Sequence, residues 1–205
     1  MEKLHNEEKA TIVENAEKKQ DRRVLRTKKA IRNSFLKLLT EKEFDKITVK
    51  EIADLADVDR KTVYNYYTGV NDVLEELENE LAKDFEKAIG EFEFNSVEDT
   101  MAAFHALNWL LQENIELYTL IMKLDGKSSL MAKIIVYLKE KIRSVIGKAD
   151  WQTYKIDLAV EYLTAGMFMA YRYWFNSDRK QTLEELTDDV ACLVISGLPA
   201  YFMDV

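Results

Sequence analysis

The sequence predicts an all-α fold of about nine helices, with an N-terminal three-helix helix-turn-helix domain ahead of a larger helical body. Three observations carry this expectation. Only 6 Gly and 1 Pro occur in 205 residues, and Pro199 stands near the end, so almost nothing interrupts helices. The chain is 47% hydrophobic and 32% charged, enough for a core and for a polar surface. Apolar residues recur at helical spacing, and side-chain capping patterns separate the runs.

Taken in order, residues 1–21 read as a charged, flexible tail, residues 22–69 as the helix-turn-helix domain and residues 70–205 as the helical body. A first helix is expected over about 22–41. Val24, Ala30, Ile31, Phe35, Leu38 and Leu39 share one side of it, leaving Arg22, Arg26, Lys29 and Arg32 on other faces. TVKE (48–51) is a capping box in which the Thr48 hydroxyl and the Glu51 carboxylate satisfy each other's backbone N–H groups. It opens a short helix with Val49, Ile52 and Ala53 inward, and Ala53 is small enough for another helix to cross closely. Asp59 is the expected N-cap of RKTVYNYY, where Val63 and Tyr67, four apart, share the inward face. Two short helices joined by a tight turn, behind a longer one, describe a helix-turn-helix.

Further helices are expected over about 71–90, from a Ser96 cap onward, over about 114–124, 129–146 after the break at DGKSS, 151–176 and 183–203. The last is opened by a second capping box, TLEE (182–185).

Charge divides the same way. Residues 1–17 carry net -3, residues 18–67 net +6 and residues 68–205 net -11, within a total of -8. A basic segment on an acidic body suits a piece that faces nucleic acid, although a solvated basic helix face has the same composition. On the second short helix, Arg60, Lys61, Thr62, Tyr64, Asn65 and Tyr66 are left to outward faces. Arg and Lys suit guanine edges or phosphates, Asn suits adenine, and Thr and Tyr supply hydroxyls. Arg26 and Lys29 are candidate phosphate contacts, and Thr48 joins the candidate DNA-binding set. A plain core role is the competing reading for the tyrosines, most of all for Tyr67.

TVKEIADLADVDRKTVYNYYTGVNDVL resembles the DNA-binding signature of the tetracycline-repressor (TetR) family of bacterial regulators. The matching features are Thr48, Ile52, Ala53, Val58, the T-V-Y at 62–64, Tyr67, Asp72 and Leu74. The sequence departs from the pattern where Asp59 replaces a small hydroxyl residue, Lys61 a glycine, Tyr66 a histidine and Val70 a basic residue. AGMFMAYRYWF is similar, more weakly, to the C-terminal domain of relatives of dihydroxyacetone-kinase regulators. The resemblance implies a homodimer that binds operator DNA, most often as a repressor, with a C-terminal regulatory domain, and the single cysteine, Cys192, fits a reducing cytoplasm. Some family members sense a small-molecule effector there and others do not. The alternative is a TetR-fold adaptor or co-activator that acts mainly by recruiting another protein.

Little in the sequence points to catalysis. There are 2 His and 1 Cys, no metal-ligand spacing, no phosphate-cradling glycine loop and no nucleophile elbow. No enzyme activity, cofactor or metal is expected. The opening residues lack a signal-peptide apolar region, and Glu161 and Arg172 interrupt the longest apolar stretch, so no membrane partner is expected. His105, Trp109, Tyr118, Met122, Phe168 and Tyr171 are candidates to line a ligand pocket, each of them equally readable as core. The helix at 158–175 is apolar on more than one face and calls for a second surface. Tyr162, Gly166, Ala170, Tyr173, Val190 and Val194 are the expected dimer contacts.

Overall fold

The computed structural model describes residues 2–124, 126–146 and 152–202, with side chains over 22–124, 126–146 and 152–197. The described residues form nine α-helices and one 3-10 turn. They divide into two compact units, Met1–Leu74 and Glu75–Val205.

The first unit holds α1 (Glu2–Glu41), the 3-10 turn (Phe44–Lys46), α2 (Val49–Ala56), α3 (Arg60–Tyr64) and the first residues of α4 (Val70–Gly90). Helix α1 begins well before the expected Arg22, because residues 2–21 contain no Gly or Pro and are rich in Glu, Lys and Ala. Ile31 and Phe35 are fully buried, with Leu38 and Leu39 beside them. Phe44 meets Phe35 edge-on at 6.2 Å. Helix α1 packs on α2, and α2 on α3.

The capping box forms as its residue types require. The Glu51 amide donates to Thr48 Oγ1 at 3.3 Å, and the Thr48 amide donates to Glu51 Oε2 at 3.0 Å. Asp57 ends α2 in the left-handed region (φ 54°), which a short polar side chain tolerates. This is the tight turn of the motif, and the Val58 amide closes it on Ala53 O at 3.1 Å. Asp59 does not cap α3 with its side chain. Its backbone carbonyl instead accepts from Thr62 at 2.8 Å and Val63 at 3.3 Å. Helix α3 stops at Tyr64; the Tyr66 and Tyr67 amides both turn back to Val63 O at 3.0 Å.

The second unit contains the rest of α4, α5 (Val97–Glu113), α6 (Ile115–Met122), α7 (Leu130–Ile146), α8 (Thr153–Asn176) and α9 (Leu183–Phe202). The sequence-expected limits at 151 and 203 lie outside the described residues. Ser96 Oγ accepts from the Asp99 amide at 3.0 Å and caps α5. Thr182 and Glu185 form the second capping box ahead of α9. Helix α5 packs on α9, α7 on α8, and α8 on both α6 and α9. Glu78, 2% exposed, ties α4 to the first turn of α7: it accepts from the Ser129 amide at 3.0 Å and from the Ser129 hydroxyl, with Lys133 Nζ 3.5 Å away.

Candidate nucleic-acid interface and internal cavity

Helix α3 presents what an outward reader needs. Val63 (0% exposed) and Tyr67 (4%) anchor it, which leaves Arg60, Lys61, Tyr64 and Asn65 exposed and Thr62 and Tyr66 half-buried. Tyr64 is 57% exposed, so its hydroxyl stands in solvent. Tyr66 is steadied from two sides. Its ring meets Tyr67 edge-on at 6.5 Å, and Lys28 Nζ of α1 lies 6.0 Å from its centre and 5.4 Å from that of Tyr67. Lys28 was not among the sequence candidates. It falls two residues after Arg26, on a side of α1 that touches the reader, whereas Arg26 and Lys29 are exposed.

Thr48 is exposed too, but its hydroxyl proton is committed to Glu51 Oε2 at 2.7 Å, so no free hydroxyl donor faces a phosphate. Lys42 Nζ sits 2.5 Å from Glu51 Oε1. The Lys42 ammonium and the Thr48 donors hold the Glu51 carboxyl down at about 2, from 4.5. Thr68 donates through its amide and its hydroxyl to Asp72 Oδ2, both at 2.7 Å, which fixes the chain between α3 and α4.

The second unit holds a partly open cavity of about 240 Å³ lined from α4 through α9. Tyr118, Met122, Phe168 and Tyr171 line it as expected. His105 and Trp109 do not: His105 is exposed and Trp109 is 63% exposed. Helix α5 turns Ala103, Phe104, Leu107 and Leu111 to the cavity, and two places along a helix is roughly 200°, which sends 105 and 109 to the opposite face. Helix α7 adds Met131, Ile134, Ile135, Leu138, Ile142 and Val145. Their spacing is a legible helical stripe that the sequence reading passed over. Polar atoms are few. Tyr171 OH pairs with Thr187 Oγ1 at 3.2 Å, and burial pushes its pKa up to about 12. Thr100 Oγ1 donates to Ser96 O at 3.0 Å. Lys141 Nζ donates to Gly90 O at 2.9 Å and stands 5.6 Å from the Phe94 ring centre.

A third feature is an apolar stripe on the outside of α8. Leu158 (56% exposed), Tyr162 (77%), Met169 (55%) and Tyr173 (75%) recur at three- and four-residue steps around exposed Gly166. Two expected dimer residues do not belong to any outer face. Val190 is 4% exposed, buried in its own chain, and Val194 lines the cavity. Ala170 is half-buried, and on α9 it is Leu193, 74% exposed, that faces out.

Comparison with known proteins points to the same overall fold. A TetR-type family model, described as a transcriptional regulator C-terminal region, matches residues 98–195. Among curated proteins, an uncharacterised HTH-type transcriptional regulator, YxbF of Bacillus subtilis, is 36% identical over 62 residues, which are 30% of this chain and 16% of that protein. Among solved structures, a TetR transcriptional regulator from Streptococcus agalactiae superposes with a TM-score of 0.63 at 24% identity, over 85% of this chain and 97% of that one. The dihydroxyacetone kinase operon activator DhaS gives 0.60 at 22% over the same shares. The regulator FadR from Bacillus subtilis, in complex with stearoyl-CoA, gives 0.63 at 19%, over 82% and 97%.

Proposed function

We propose that the chain is a TetR-type transcriptional regulator, that it represses transcription by binding a palindromic operator as a homodimer, and that an apolar small molecule in the cavity modulates this. The observation that carries the reading is α3: a helix pinned by Val63 and Tyr67 that turns Arg60, Lys61, Tyr64 and Asn65 outward. Arg and Asn recognise guanine and adenine edges in a major groove, and the cations of α1 reach phosphates. A single reader covers few base pairs, so a two-fold pair of readers on a palindrome accounts for useful affinity. The apolar stripe of α8 with Leu193 of α9 supports pairing with a second copy, because one chain leaves it bare.

The largely apolar cavity supports the effector, as does the stearoyl-CoA carried by the FadR neighbour. The name of the DhaS neighbour favours activation as the second reading. An electrophoretic mobility shift with DNA from upstream of the protein's own gene tests DNA binding, and a reporter behind that DNA separates the two signs. A specific shift with lowered reporter output supports repression, and raised output supports activation. Absence of any specific shift would favour an adaptor that works through another protein.

A further inference from the structure

The cations of α7 are matched by carboxylates except at one position, and that position lines the cavity. Lys139 and Arg143 pair with Glu161 and Asp157 of α8 at 2.7 and 2.5 Å, and Lys133 stands 3.5 Å from Glu78 of α4. Lys141, between Lys139 and Arg143, forms no ion pair among the described residues. Its ammonium donates to Gly90 O at 2.9 Å and stands 5.6 Å from the Phe94 ring centre. An ammonium has three donors, and the carbonyl takes one of them. Lys141 is half-buried and is the only charged side chain among the described residues of the lining. Phe94 lines the cavity too, so the ammonium beside its ring lies at the cavity's edge, next to exposed Gly90. A cation against apolar walls without a counter-charge is costly, and an anion within its reach offsets that cost.

Resting on the effector reading above, we propose that the cavity binds an unbranched aliphatic monocarboxylate. Its carboxylate accepts from Lys141 and its chain runs along α7 towards Met131. Ile134, Ile135 and Leu138 continue the lining between those two residues, and ten residues of helix span about 15 Å. An extended chain advances about 1.2 Å per bond, so on the order of twelve carbons cover that distance. The rest of the lining is almost all hydrocarbon or thioether, and Met122, Met131 and Met167 let the walls adapt to a flexible chain. The headgroup is a free carboxylate and not a coenzyme A thioester. Residues 88–122 contain no Lys or Arg, and the segment that carries Phe94 presents exposed Glu91, Glu93 and Glu98. Lys141 matches one negative charge, whereas the several phosphate charges of a coenzyme A would meet those glutamates.

Calorimetric titration of the full-length protein at neutral pH compares dodecanoate with 1-dodecanol, octanoate and dodecanoyl-CoA. Dodecanoate should bind roughly tenfold more tightly than 1-dodecanol, because its carboxylate makes a charge-assisted hydrogen bond. Octanoate has four fewer methylenes to bury and should bind on the order of a hundredfold more weakly. Dodecanoyl-CoA should also bind more weakly than dodecanoate. Lys141→Met should bring dodecanoate down to the level of 1-dodecanol and leave 1-dodecanol itself unchanged. A second readout needs only the wild type. By NMR, the labelled carboxyl carbon of bound dodecanoate should titrate below its value in water, since a neighbouring ammonium favours the charged form. No binding of dodecanoate, equal binding of the acid and the alcohol, or tighter binding of octanoate or the thioester would each overturn the proposal. So would a bound carboxyl that titrates above its value in water, or a Lys141→Met protein that keeps the preference for the acid. Anisotropy of labelled operator DNA separates this from the wider reading. Dodecanoate binding with unchanged DNA affinity leaves the ligand assignment standing and removes its role as effector.

Discussion

At the scale of single residues, Tyr64 is the sharpest test of the reader. Its ring leaves the inward face to Val63 and Tyr67, and 57% of it is exposed. If the hydroxyl bonds a base edge or phosphate, Tyr64→Phe should cost about 1 kcal/mol for each of the two readers, about 2 kcal/mol and roughly thirtyfold in Kd for the dimer, with unchanged melting of the free protein. Fluorescence anisotropy with operator DNA measures it, and equal affinity would remove the hydroxyl from the contact. The division of α3 into inward and outward residues was legible because a four-residue step fixes a helical face whatever the neighbours do. Other residue assignments failed for want of information that spacing does not carry. Asp59 is a good capping type, but its backbone carbonyl rather than its carboxylate closes the first turn of α3. His105 and Trp109 read as pocket residues because large rings favour the interior. The register of Ala103, Phe104, Leu107 and Leu111 on the same helix overrides that preference.

At the scale of elements, the caps were the most readable features, since each needs only two residue types three apart. Thr48 and Glu51 form theirs, and so do Thr182 and Glu185. The partner that spacing could not supply is Lys42, which sits 2.5 Å from Glu51. It gives the start of α2 a pH dependence. The folded pKa of Glu51 is depressed from 4.5 to about 2, so its stabilising contribution is complete above 4.5 and is lost as pH falls towards 2. Circular-dichroism melts of wild type and Glu51→Gln should therefore differ most near neutral pH and converge between 4.5 and 2. A difference independent of pH would show that the carboxylate charge is immaterial there. Helix α1 makes a separate, ionic prediction. Arg22, Arg23 and Arg26 are exposed, and each phosphate contact contributes about 0.9 to the slope of log K against log salt. Replacing all three by Gln removes six cations from a bound dimer and should flatten that slope by up to about 5, and an identical slope would place the contacts elsewhere on the basic segment.

At the scale of the whole molecule, the reading stands or falls on assembly. The sequence placed unpartnered apolar surface on the helix at 158–175 but could not say which residues faced outward, because α8 is apolar on two sides and only burial separates them. Val160, Leu163, Tyr171 and Trp174 face the chain's own core; Leu158, Tyr162, Met169 and Tyr173 do not. Gly166 lies in the middle of the outward set, and a Cβ added there would meet nothing within 4 Å beyond its chain neighbours and the local backbone of its own helix. Within one chain, Gly166→Leu should therefore be tolerated, and it should stiffen α8 by close to 1 kcal/mol through helix propensity. Between two chains the same side chain would stand where two helices cross, and small residues at such a crossing are what allow backbones to come close. The variant should melt no lower than wild type as a monomer, shift towards monomers in light scattering at micromolar concentration, and lose operator affinity in parallel. A variant that dimerises as tightly as wild type would move the crossing away from Gly166, towards Tyr173 and Leu193. Wild-type protein that is monomeric at micromolar concentration would overturn the paired reader itself, because the bare stripe of α8 would then have to be covered by something other than a second copy.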